Sequence, residues 1–480
     1  MRPTMNRRGF LSGITALGAG VAAASVAGCS GGSGSGTASG GLQWWDHFSA
    51  YQDLQKEWAS SQAEKIGVPV TYTYYEASKA GESLRLANQA KKLPDVFSNV
   101  VGLPLAALVA DQWIREVELS DDTLKRLPKE VQVEGVTKID GKLYGVPLQS
   151  FRSHPSFTWT NVELFAKAGL DPADVPGDYD SFRATCQKLK AAGVAPMTIA
   201  LGADGGRAGD QINDMAQVAG FPGLGGVRYA TGEYGFHDDT YVNAIEFWKE
   251  LFAGGMMLSG TNTFSVVNAR TRYASGGVAI FIDGAWSPGG SRVLQPDFLP
   301  KMGVGQVVTP EAGAPVALYR NLSGPTFVIA GSTKDPAAAS KLVESFTGED
   351  YLVKITEAMD APPIDLDLVA TANVTEPYKQ AVAMLKEQVF QGPQPVVRNP
   401  DVSLAEARRK PVTPGLGAIV QGYLGGDVPD LRAALKTLSD ANEAEREKAI
   451  AAAKADGAEV ALDDYAFPDW KPGADYTYPK

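Results

Sequence analysis

Cysteine and histidine are scarce in this chain: its 480 residues include two cysteines, Cys29 and Cys186, and three histidines. That scarcity removes several chemistries. No cysteine pair stands at metal-ligand spacing and the histidines are widely separated, so neither a metal nor a cofactor is expected. Catalytic signatures are missing as well. There is no Gly-x-Ser-x-Gly elbow, no Gly-x₄-Gly-Lys-[Ser/Thr] loop and no His-Glu-x-x-His pair. Basic residues are outnumbered, 44 against 55 acidic ones for a net charge of −11. Nucleic-acid binding needs a basic surface that displaces counterions, so that partner is not expected. No repeat at solenoid periods is visible. After the first 28 residues, no apolar run is long enough to span a bilayer.

What the chain does have begins at its first residues. Arg7-Arg8-Gly9-Phe10-Leu11 precedes an apolar, small-residue run from Ile14 to Ala27, then Gly28-Cys29 and a Ser/Gly tract. A positive head, a short apolar segment and a small-residue site read as a signal peptide over residues 1–28. The apolar run is broken by Gly13, Gly18 and Gly20 and falls short of the roughly 20 residues a spanning helix needs. The pair Arg7-Arg8 resembles the twin-arginine export pattern. Val26-Ala27-Gly28-Cys29 resembles a bacterial lipobox, which implies lipidation of Cys29. Cys186 then has no disulfide partner, and its helical context reads as a small buried hydrophobe. Residues 29–41 cannot bury enough surface to order themselves and read as a flexible tether. The expected body is held by a lipid at the outer face of the cell membrane. About 450 residues remain for it, enough for two lobes.

Along that body, strands and helices alternate. Leu42–Asp46 reads as a strand and 47–66 as a helix with Tyr51, Leu54 and Trp58 on one face. Val68–Tyr75 and Pro94–Asn99 read as strands separated by a helix over 80–92. Asp140-Gly141 marks a tight hairpin turn. Helices are expected at 161–169, 180–192, 239–252, from Asp335-Pro336 to Phe346, and at 430–455. In the 239–252 helix the stripe Val242, Ile245, Trp248 and Phe252 reads as core. Further strands are expected at 196–201, 278–282, 304–308 and 327–330, and an aromatic, proline-rich tail as a surface strap. Such alternation argues a mostly parallel α/β sheet, with ligands beyond the carboxyl ends of the strands.

Several of these segments together resemble the extracellular sugar-binding proteins of bacterial ABC importers, the maltose-binding-like family. Pro94-Asp95-Val96 is similar to its "PDV" strand, and Asp140 to Pro147 to its "DGKxYGVP" hairpin. Asn161 to Leu170 is similar to "NKDLFKKAGL". Gly277-Val278-Ala279-Ile280 with Gly284-Ala285-Trp286 resembles "GxxAMxxxGxW", and Ser332 to Ala339 resembles "SKNPEAAWKF". Their order holds over residues 42–350. Thr160 stands where the family usually has tyrosine, and beyond about residue 360 only the helical character matches. The resemblance implies a two-lobed, hinged periplasmic-binding-protein fold of type II, each lobe a mixed, mostly parallel sheet flanked by helices. One lobe would comprise 42–149 with 322–362, the other 150–310 with 368–480. The chain would cross between them near Leu148–Pro155, Thr309–Leu322 and Ala361–Leu368. A sugar ligand, ABC permease subunits as partners and a monomeric state are implied with it.

Sugars present apolar CH faces and rings of hydroxyls, so their sites need an aromatic platform and planar polar groups. Trp286, past an apolar strand and after Gly284, is the first candidate and matches the family's stacking tryptophan. Asp204, on a glycine-flanked loop after a strand, is where the family often places a sugar-binding acid. Trp45, Asp46 and His47 follow the first strand; Trp44 and Trp45 must face opposite sides, and alternation alone does not say which is core. Asn99, Arg152, His154, Asp283 and Asn321 are further candidates at strand ends and crossings. Arg398, Arg408 and Arg409 lie where the motifs no longer align and carry no assignment. The expected function is reversible carbohydrate binding and delivery to a permease, without catalysis. The alternative is a lipid-anchored glycoside hydrolase, whose chemistry needs only two carboxylates in a sugar cleft, or another surface lipoprotein.

Overall fold

The computed structural model describes residues 40–128, 131–202 and 206–478. Cys29, Arg7, Arg8 and Asp204 therefore lie outside the described residues.

Two mixed sheets organise the body. In the first, the order is Val70–Tyr74, Leu42–Asp46, Val96–Ser98, Phe327–Ala330, Ile114–Arg115. The Leu42–Asp46 strand runs parallel to both its neighbours, and Phe327–Ala330 closes back antiparallel to its own. Period-two alternation sends Leu42 and Trp44 inward on one face. Trp44 is fully buried, against Tyr72, Phe327 and Phe346 at 5.0, 5.6 and 4.8 Å between centroids. Trp45 goes to the other face, half-buried, 4.5 Å from the Tyr75 ring. Of the adjacent tryptophans, Trp44 is the core residue.

The second sheet has the order Met302–Gly305, Phe157–Asn161, Ile280–Asp283, Met197–Thr198. Phe157–Asn161 is antiparallel to both neighbours, and only Ile280–Asp283 with Met197–Thr198 is parallel. This sheet departs from the mostly parallel expectation because Phe157–Asn161 lies between two antiparallel partners. Phe-Thr-Trp-Thr alternates apolar and polar residues, and all five positions through Asn161 are buried, the threonine face included. Asn161 ends it and caps the following helix, its Oδ1 accepting the N–H groups of Glu163 and Leu164.

Other elements follow their sequence signals. Asp140 and Gly141 both have positive φ, 52° and 73°, as a primed hairpin turn requires. Asp335 caps Pro336–Ser345, and Asp430 caps the 25-residue helix Leu431–Ala455. Ile245 and Trp248 of the Asp239–Ala253 helix are buried in the core of the second sheet, with Val242 and Phe252 packed at its margin. Cys186 is fully buried there, and burial pushes its thiol up to about 12. No helix of the described residues is long and apolar enough to cross a membrane. Chain passages far apart in sequence are tied to each other by their backbones. Ser150 N–H donates to Pro362 O at 2.9 Å, Ile364 N–H to Leu148 O at 2.9 Å, and Thr326 N–H to Val146 O at 3.1 Å.

Candidate functional site

The Ile280–Asp283 strand, buried along its length, delivers the site at its carboxyl end. Asp283 is fully enclosed. Arg270, from the Val266–Ala274 helix, holds its Oδ2 through Nε at 3.2 Å and Nη2 at 2.7 Å. Its other oxygen, Oδ1, accepts a hydrogen bond from Trp286 Nε1 at 2.9 Å. Gly284 between them is required by space, since a Cβ there would stand 2.3 Å from the Trp286 ring. Beneath, fully buried Trp159 donates from Nε1 to the carbonyls of Asp283 (3.2 Å) and Gly284 (3.0 Å). One indole thus fixes the backbone of the turn and the other stands on it, half-buried, with its polar edge tied down. The Arg207 guanidinium lies 4.9 Å from the Trp286 ring centroid, a cation–π contact.

Arg207 opens a polar stripe on the Gly206–Val218 helix, where Arg207, Asp210, Gln211, Asp214 and Gln217 recur three and four apart on one face. Gln211 Nε2 donates to the carbonyls of Pro155 (3.0 Å) and Ile282 (2.9 Å). Buried Asp214 accepts from Ser156 Oγ at 2.6 Å and pairs with Arg320. Burial lifts the Asp214 carboxyl above its ordinary range, although Arg320 and Ser156 pull the other way. Asp210 is raised for the same reason, with Arg207 opposing, yet it is exposed to water. A side chain that water reaches while protein surrounds it on most sides sits in a concavity.

Asp360 joins this wall to the first strand's continuation. Its carboxylate accepts from the backbone of Ala361 and Ala50 and faces Arg270 and Asp283; burial raises it to about 6. On that side His47 and Asn99 line a hollow of about 310 Å³ with Gln149 and residues 323–326. His47 Nδ1 is 2.9 Å from Ser98 Oγ, and burial lowers the imidazole to about 4, which keeps it neutral at pH 7.

Asp283 and Trp286 are in direct contact, and His47 and Asn99 share one hollow. Asp46 is elsewhere, in the interior. Its oxygens accept from Tyr72 Oη (2.7 Å), Gln55 Nε2 (2.8 Å) and Phe48 N–H (3.3 Å), and burial raises it to about 7. His154 is also interior, its ring 4.1 Å from Phe157 and its protonation opposed by burial and by Arg320. Trp45 packs in an apolar cluster around Phe97 and Ile114. Arg152 is held by Val389 O and by Asp475 at 2.6 Å. Exposed Asn321 opens onto a different pocket. The residues that sequence reading missed are Trp159, Arg207, Asp210, Asp214, Arg270, Arg320 and Asp360. The i, i+3, i+7 spacing of Arg207, Asp210 and Asp214 was the available signal. For Arg270 and Asp360, which meet only through folding, the sequence holds none.

The resulting surface carries one oriented aromatic ring between alternating guanidinium and carboxylate groups. Such an arrangement offers a face for stacking and partners for paired hydrogen bonds. Among the described residues no group of three or more His, Cys, Asp or Glu is placed to hold a metal ion. Another concavity, of about 630 Å³ between Asp53, Glu57, Arg292 and Lys354, is lined by polar, charged and aliphatic residues without an aromatic ring.

The fold is shared with solved transport receptors. One is an ABC transporter solute-binding protein from Thermotoga lettingae TMO bound with α-D-tagatose. It aligns with TM-score 0.65 and 18% identity, over 84% of this chain and 99% of that one. The GacH receptor of Streptomyces glaucescens, solved unliganded and with acarbose, aligns at 0.62 and 17%, over 85% and 98%. A sugar transporter from Arthrobacter chlorophenolicus A6 with bound laminaribiose aligns at 0.61 and 20%, over 84% and 99%. At these identities the likeness establishes the hinged two-lobed fold. In sequence, the chain is 27% identical over 165 residues to the sn-glycerol-3-phosphate-binding periplasmic protein UgpB of Rhizobium meliloti (strain 1021). That stretch spans 32% of this chain and little more than a third, 37%, of that relative. Residues 57–385 match the model of the bacterial extracellular solute-binding proteins, and the chain belongs to that family.

Proposed function

We propose that this protein reversibly binds a carbohydrate, a di- or oligosaccharide, outside the cell membrane and delivers it to an ABC permease. The observation that carries the reading is the Trp286 ring, held by Asp283 and Trp159's turn beside water-accessible Asp210 and Arg207. A ring face flanked by planar polar groups matches the two surfaces of a sugar. Sugar-bound structures among the fold's relatives support the same class of ligand. Because Asp283 and Asp214 each neutralise an arginine, the wall is not a cationic site of the kind a phosphorylated ligand needs.

In this reading residues 42–149 with 322–362 and residues 150–310 with 368–480 are the two lobes. A ligand touching both stabilises the closed form by its differential affinity. Cys29, lipidated after export through the Arg7-Arg8 signal, tethers a monomeric receptor beside its permease and raises its local concentration there. The protein turns nothing over. Calorimetry against a panel of mono-, di- and oligosaccharides, with product analysis, tests the reading. Binding with recovery of intact ligand is expected; cleaved ligand would replace the receptor by a hydrolase. Membrane fractionation of Cys29→Ala, expected to release the protein, tests the anchor; continued membrane retention would refute it.

A further inference from the structure

The Ser287–Leu294 helix starts from Trp286 and belongs, in the two-lobe reading above, to the second lobe. It lies against the end of the Glu349–Glu357 helix, an element of the first lobe in that reading. Three successive main-chain carbonyls at that end are taken up by the one short helix. Arg292 Nη1 donates to Glu357 O at 3.0 Å, Arg292 Nη2 to Ala358 O at 3.2 Å, and Gly289 N–H to Met359 O at 2.9 Å. Carbonyls at the end of a helix, and N–H groups in the first turn of another, lack partners within their own helices, so each end here completes the other. A guanidinium at a helix carboxyl end is also favoured by the helix dipole.

Two glycines make the fit close. A Cβ on Gly289 would stand 2.5 Å from Met359 O and 2.6 Å from Ala358 O, and one on Gly290 would stand 2.7 Å from Arg270 Nη1. The first turn of the helix is thus a thin wedge between the first lobe's carbonyls and the arginine that holds Asp283. Asp283 in turn orients Trp286. Touching groups therefore run without a break from the contact to the ring. Asp360, next in the chain after Met359, faces Arg270 and Asp283 as well. The concavity of about 630 Å³ borders the contact, its lining including Arg292, Glu357 and Ala358, so water reaches the seam. Arg292 is half-buried there. Parting the contact exchanges its hydrogen bonds for bonds to water, at little net cost. A contact of that kind can form and break as the lobes move.

We infer that Gly289 and Arg292 form a latch with the 357–359 carbonyls that joins the lobes only in the closed form, and so sets sugar affinity without touching the sugar. The inference rests on the two-lobed carbohydrate reading above. The test is binding of the mono-, di- and oligosaccharide panel to wild type, Arg292→Ala and Gly289→Ala, with association and dissociation rates, and urea unfolding of each protein free of ligand. Arg292→Ala should weaken every sugar that binds by one common factor of about tenfold, the worth of a hydrogen-bonded charge. The loss should lie in faster dissociation, because the latch forms after encounter. Gly289→Ala, whose methyl holds the two helix ends apart, should weaken the same sugars at least as much. Resistance of the ligand-free protein to urea should be unchanged in Arg292→Ala and unchanged or higher in Gly289→Ala, since the latch is undone in the open form. A contact that is merely structural gives the opposite pattern. If Arg292→Ala lowers the ligand-free protein's resistance to urea, leaves affinity within about threefold of wild type, or weakens different sugars unequally, the latch is overturned and the carbohydrate reading stands. If no sugar of the panel binds wild type, both fall.

Discussion

Replacing Trp286 by alanine removes the ring face, its 2.9 Å bond to Asp283 and the partner of the Arg207 guanidinium. Aromatic anchors that dominate a binding site cost about 2–4 kcal/mol on truncation. At 1.4 kcal/mol per decade, that is about thirtyfold to several-hundredfold in Kd. The fold should lose far less. Trp286 is half-buried at a helix start, and Asp283 keeps Arg270, so the stability cost is about 1 kcal/mol, that of one hydrogen bond. Two companions separate the contributions. Trp286→Phe keeps an aromatic face and loses only the Nε1 bond, for about fivefold in Kd. Gly284→Ala leaves both side chains in place but sets a Cβ 2.3 Å from the ring, so the ring must move; its affinity should approach that of the alanine variant. Calorimetry with the best sugar of the panel, alongside urea unfolding, reads all three. If Trp286→Ala binds within about threefold of wild type while remaining folded, the tryptophan is not the platform. If Gly284→Ala alone is silent, the ring's position is not what matters.

Asp46, raised from 3.8 to about 7, favours the folded state fully only below its unfolded pKa, and this contribution is lost as pH rises through 7. Asp46→Asn cannot titrate. Whatever constant offset the amide brings, its stability relative to wild type should grow by about 2–4 kcal/mol between pH 4 and pH 8; a flat difference in urea unfolding would refute the assignment. His47 has the opposite sign: lowered from 6.5 to about 4, it destabilises the fold as pH falls below 6.5. Wild type minus His47→Gln should therefore decline from pH 7 to pH 4, and a difference that stays constant or rises would refute it. Asp214→Asn leaves the Arg320 guanidinium without its carboxylate partner, though still bonded to the Ser153 and Tyr319 carbonyls, and should cost about 2–4 kcal/mol. A loss below about 1 kcal/mol would show the pair to be dispensable. Cys186, buried and with its thiol pushed to about 12, should resist a thiol reagent in the native protein and react on unfolding. Fast native labelling would contradict its place in the core.

The elements that were legible follow local rules, whereas the two-residue strand Ile114–Arg115 of the first sheet gave no such signal. Leu42–Asp46 alternates, Asp140-Gly141 supplies a hairpin's positive φ, and Asp335-Pro336 starts a helix, each within a few residues. Phe157–Asn161 was not legible, because its alternation spans only four residues and its last residue, Asn161, already caps the following helix. With that strand missing, Trp159 could not be seen as the support beneath Trp286.

The sequence by itself determined the alternating α/β composition and placed Asp283, Gly284 and Trp286 at the end of an apolar strand. Steric space alone demands a glycine under that ring. Only the tertiary structure chose Trp44 over Trp45 for the core, since alternation has no phase until a sheet has an inside. It also drew Asp46 into the interior and brought Arg270, Asp360, Arg207 and Arg320 to one wall. Those groups come from segments far apart in the chain. Their pairing is set by which elements pack together, a long-range consequence of burial that no local pattern encodes.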